Sequence, residues 1–144
     1  MNRRAFFCGL ALNWFVVFPA LAALGDSMDA AFKRYGSDGQ RVRFYVWEGH
    51  RADVVRWDHW FSPDIEVSFD NGVAFRVRIE GDINPSKWEY YLQMNAQGEK
   101  WTLLKWSAGT DTPVEWRRQD GAHAIYFQKV FSFFDNHHPA AVAP

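Results

Sequence analysis

A single cysteine, Cys8, stands in the 144-residue sequence, and it lies inside the N-terminal apolar run. A disulfide framework is therefore excluded, as is a cysteine nucleophile anywhere downstream. No Asn-x-Ser/Thr glycan acceptor occurs, because Pro85 interrupts Asn84-Pro85-Ser86. No His-Glu-x-x-His frame is present, and none of the serines sits in Gly-x-Ser-x-Gly. Gly81 and Gly98 fall in turn clusters, not in a phosphate-cradling loop. Neither charge sign predominates: 16 basic residues face 17 acidic ones, a formal net charge of −1. That balance argues against nucleic acid as a partner, since phosphate binding needs a basic surface.

The first residues have the order of a secretory signal. Arg3 and Arg4 precede the apolar run Ala5–Phe18, Pro19 ends it, and Ala20-Leu21-Ala22 supplies a small–x–small cleavage pattern. Residues 1–22 are thus expected to be a cleaved signal peptide. The rival is an uncut membrane anchor, because Ala5–Leu24 is long enough to span a bilayer; Asn13 and Pro19 weaken it. Arg3-Arg4 also hints at a twin-arginine signal, although the basic region is short. Phe6 and Phe7 stand where a lipid-attachment site at Cys8 would need small residues, so Cys8 reads as part of the apolar run. Cleavage removes Arg3 and Arg4 from the 16 basic residues, leaving 14 against 17 acidic ones, a net charge of −3. An exported domain without disulfides or glycan sites fits a bacterial periplasm. A domain of this size buries roughly 65% of its unfolded surface, enough to stand without staples.

Residues 23–135 read as one β-rich domain and 136–144, rich in Ala and Pro, as a disordered tail. Residues 26–35 predict a short helix, with Asp26 or Ser27 as cap, Met28, Ala31, Phe32 and Tyr35 on one stripe, and Gly36 as stop. Beyond it, Gly/Asp/Asn/Ser clusters recur at meander spacing. The expected fold is mainly β: an antiparallel meander of seven or eight strands, forming a small barrel or sandwich, behind one N-terminal helix. A helix packed on a curved sheet is the alternative.

Some registers follow from side-chain alternation. In 64–79, a three-residue loop Asp70-Asn71-Gly72 pairs Phe69 with Val73, Val67 with Phe75 and Ile65 with Val77. It also sets Glu66 against Arg76 and Asp64 against Arg78, pairs worth about 0.2–1 kcal/mol each. In 113–129 a two-residue turn at Asp120-Gly121 pairs Trp116 with Ile125 and Val114 with Phe127. Trp88–Met94 and Glu99–Trp106 read as a third hairpin. Val42, Phe44 and Val46 alternate in a first strand, and Val54–Phe61 reads as a strand by residue type, with a short helix as the rival.

Chemistry-bearing groupings are sparse. His50, Asp53, Asp58 and His59 contain metal-ligand types, but a strand would point Asp58 and His59 to opposite faces. His137-His138 lie in the tail, without preformed geometry. No catalytic or metal-ligating residue and no cofactor is assigned. The aromatic content is more informative, at 18% of the chain with eight tryptophans. If Val42, Phe44 and Val46 face the core, Tyr45 and Trp47 face away, and Tyr91 likewise stands opposite Trp88, Tyr90 and Leu92. Surplus aromatics interleaved with polar groups suit a binding surface, because Tyr and Trp join apolar area to a hydrogen-bonding tip. The expectation is an exported periplasmic or secreted, non-enzymatic binding or accessory domain. Tyr45, Trp47, Trp57, Trp60 and Tyr91 would hold an apolar or sugar-like ligand or an envelope protein, with no membrane span left after cleavage. The alternatives are a metal-dependent enzyme built on His50 and His59 with a nearby carboxylate, and a membrane-anchored part of an envelope complex.

Overall fold

The computed structural model describes residues 24–47, 50–59, 63–106 and 112–136. The signal peptide read at 1–22 and the tail from 137 onward lie outside them; Asn136 is inside, its amide donating to the Asp120 carbonyl at 2.6 Å.

Helix α1 spans Met28–Tyr35. Ser27 caps it, its hydroxyl accepting from the Ala30 N–H at 3.1 Å. Asp29 in the first turn and Lys33 and Arg34 in the last complement the helix dipole. Gly36 ends the helix at φ 115°, in the range that favours glycine. Just before the helix, the backbone of 25–28 bonds to Gly72 and Ala74, tying α1 to a sheet hairpin.

Eight antiparallel strands form one sheet: β1 Gln40–Trp47, β2 His50–Trp57, β3 Asp64–Asp70, β4 Val73–Glu80, β5 Trp101–Lys105, β6 Val114–Arg118, β7 His123–Phe127 and β8 Val130–Phe134. The order β1-β2-β3-β4-β8-β7-β6-β5 joins two four-strand meanders at β4–β8. Between β4 and β5 the chain runs through a 3-10 turn, Pro85–Lys87, and a second helix, α2, Trp88–Met94. The described pairings leave β1 and β5 as the sheet edges.

Cross-strand register places Val55, Trp57, Val67, Val77, Ile79, Phe131, Phe133, Ala124, Val114 and Trp116 on one face. That face carries the core, and both helices add to it: Ala31 and Tyr35 from α1, Trp88 and Leu92 from α2. The mainly β architecture with a short N-terminal helix therefore stands, as helices packed on a single sheet.

Four local expectations need correction. Trp88–Met94 is a helix, not a strand. Its apolar residues fit both periods, but Asn84 and Pro85 open a helical turn, and Glu89 and Gln93 bond across one turn at 3.1 Å. No β-branched residue in 88–94 favours a strand. The β3–β4 turn is the two-residue one: Asn71 (φ 49°) and Gly72 (φ 79°) occupy it, and Asp70 pairs with Val73. A bulge between Ser68 and Phe69 then realigns the apolar faces, so that Val67 meets Val77 and Glu66 meets Arg78. Between β6 and β7 the loop has three residues, Gln119-Asp120-Gly121, closed by the Arg118 N–H on the Ala122 carbonyl. Trp116 thus meets Ala124, and Val114 meets Tyr126. Finally, Val42 and Phe44, expected to face the core from the first strand, are 47% and 58% exposed on edge strand β1; β8, which no turn signal announced, follows Gln128-Lys129.

Candidate functional site

Of the five aromatics singled out from the sequence, the side chains of two, Trp57 and Tyr91, are among the described residues. Tyr45 and Trp47 lie on edge strand β1, opposite Ala52 and His50; their side chains, and Trp60, are outside the described residues. Trp57 is only 1% exposed and belongs to the core. Phe32 and Tyr35 meet its indole at 5.3 and 5.1 Å between centroids, and its N–H donates to the Gly36 carbonyl at 2.9 Å. It ties the end of α1 to the sheet and offers nothing to solvent. Tyr91 is half-buried against Phe131, and that burial, reinforced by Tyr90, holds its hydroxyl above the ordinary tyrosine value.

The two carboxylates grouped with His50 and His59 have arginine partners. Asp53 accepts from Arg51 at 3.1 Å, Asp58 from Arg56 at 2.5 Å, and the His59 backbone N–H donates to Asp64 at 3.3 Å. Among the described residues no three His, Cys, Asp or Glu side chains gather to hold a metal ion.

The aromatics concentrate instead where α2 meets the far edge of the sheet. Trp88 packs on Trp116 at 5.4 Å, Tyr126 at 4.8 Å and Trp106 at 5.9 Å. Trp106 is 62% exposed, and Tyr90, Leu103 and Leu104 are also exposed. Beside this cluster a cleft of about 500 Å³ opens between α2 and β5. Leu92, Trp101, Leu103 and Trp116 supply its apolar surface; Glu89, Gln93, Glu99 and Lys100 supply polar groups, with Ala96 between them.

The cleft is built by specific bonds. Trp101 donates its indole N–H to the Leu92 carbonyl at 2.7 Å, which fixes the ring against the last turn of α2. Arg118, 3% exposed, reaches the Asn95 carbonyl at 2.6 Å, Gln97 Oε1 at 3.0 Å and the Asp120 carboxylate at 2.5 and 2.9 Å. This one guanidinium joins the turn after α2 to the β6–β7 loop and stands 5.4 Å from the Trp101 ring centroid. It holds the Asp120 carboxyl below the usual carboxylate range.

Of the cleft residues, none was singled out from the sequence. Two signals pointed there: Trp88 and Leu92 at helical i, i+4 spacing, and Trp88, Trp101, Trp106 and Trp116, half of all the tryptophans, within one stretch of 29 residues.

Comparison of the chain with protein-family models, with curated proteins and with solved structures finds no match.

Proposed function

We propose that the chain is an exported, non-enzymatic periplasmic binding domain whose site is the cleft between α2 and β5. One observation carries the reading: a concave space of about 500 Å³, within the usual size of ligand pockets, lined by two tryptophans and two leucines beside four polar side chains. The bonds that fix Trp101 and the turn after α2 support it, since a preorganised site loses less entropy on binding. The secretory pattern in residues 1–22 supports export. Exposed Tyr90, Leu104 and Trp106 extend the surface along the same edge, as an accessory face for an envelope protein would.

Tryptophan fluorescence of the chain from residue 23, titrated with a panel of small saccharides, fatty acids and aromatic acids, tests the reading. A saturable change that disappears in Leu103→Asp is the expected result. Leu103 is half-exposed, so the substitution leaves the core alone. A panel that moves no signal, or moves it equally in Leu103→Asp, argues against the cleft.

A further inference from the structure

We infer that the cleft takes a short saccharide in preference to a lipid or a small anion; this rests on the binding-domain reading and narrows its ligand. The argument is one of matching chemistry. The wall is not uniformly apolar: Glu89 and Gln93 stand on α2, and Glu99 and Lys100 precede Trp101. A fatty chain filling this space would lie beside two carboxylates, an amide and an ammonium, all exposed, and offer none of them a hydrogen bond. A small anion meets two carboxylates against one ammonium, a local balance of the wrong sign.

A sugar ring meets both halves of the lining. Its axial C–H face is apolar and flat, which suits an indole surface such as that of Trp101, held in place by the Leu92 carbonyl. Its hydroxyls both donate and accept. They can donate to Glu89 and Glu99 and accept from Lys100, restoring the bonds that desolvation removes. The volume, about 500 Å³, exceeds a single ring and fits a di- or trisaccharide.

The experiment compares chitotriose, cellotriose and maltotriose with dodecanoate by nuclear magnetic resonance, following the indole N–H signals of Trp101 and Trp116. The expected result is saturable movement of those signals with at least one trisaccharide. Glu99→Gln, an isosteric change at an exposed turn, should weaken that binding about ten-fold, the usual cost of losing a charge-assisted hydrogen bond. Movement with dodecanoate alone, strengthened by Glu99→Gln, overturns the saccharide inference and leaves the binding-domain reading in place. Silence from all four probes overturns the inference and also counts against the cleft as a site.

Discussion

Arg118 ties two loops together through one buried guanidinium. Its partners come from the turn after α2 and from the β6–β7 loop, so its loss strands the Asn95 carbonyl in a dry environment. Arg118→Ala should therefore cost about 2–3 kcal/mol in urea unfolding, whereas Arg117→Ala, at an exposed position, should stay within about 0.5 kcal/mol. His123 acts on stability through pH. It is half-buried and stacks on Phe134 at 4.8 Å; burial, then the nearby Arg117, depress its pKa, while Glu115 opposes them. A histidine depressed in the folded state binds its proton more readily when unfolded. Stability should therefore fall as pH drops below the unfolded value of about 6.5 and level off below the folded value. His123→Phe should remove that slope. Asp120 adds a second loss at lower pH, where its depressed carboxyl finally protonates.

At the level of elements, legibility depended on whether one period or two fitted the residues. Helix α1 was readable because Ser27 and Gly36 bracket a stripe that suits only a helix. In 88–94, Trp88 and Leu92 satisfy a period of two and a period of 3.6 alike, and the decision lay upstream in Asn84-Pro85. The β3–β4 turn was misjudged for a different reason. A bulge absorbs one residue, so alternation in β3 and β4 does not dictate the loop length between them. The β7–β8 turn was invisible because Gln128 (φ 47°) and Lys129 (φ 67°) take left-handed conformations without glycine. That strain is removable: Lys129→Gly should stabilise the fold by about 1 kcal/mol, read as a raised melting temperature. The Lys129–Asp82 pair it deletes is too exposed to offset the gain.

Across the whole molecule, the aromatic surplus was legible and the place where it gathers was not. Assigning it to particular side chains required the topology that folds α2 back toward β5 and β6, separated from it by a turn and by a second strand. Trp57 shows the converse, an aromatic read from the sequence as a binding residue that α1 covers. Both sheet edges carry an irregularity, at Arg41/Arg43 in β1 and at Leu103/Lys105 in β5, which guards against edge-to-edge pairing in a protein with exposed leucines there. No described helix is long and apolar enough to cross a membrane. Expression of the full chain in a bacterium should give periplasmic protein whose intact mass begins at Ala23; retention of residues 1–22 in the membrane fraction would instead favour the anchored form. Ligand contact between α2 and β5 is the proposal on which the functional reading depends. Indole N–H spectra of the processed protein, recorded with and without a low-molecular-weight envelope extract, address it directly, with the core residue Trp57 as the internal reference. Movement of Trp101 and Trp116 with Trp57 still is the expected result. Movement confined to Trp57 or Trp47, at the other edge of the sheet, would contradict it.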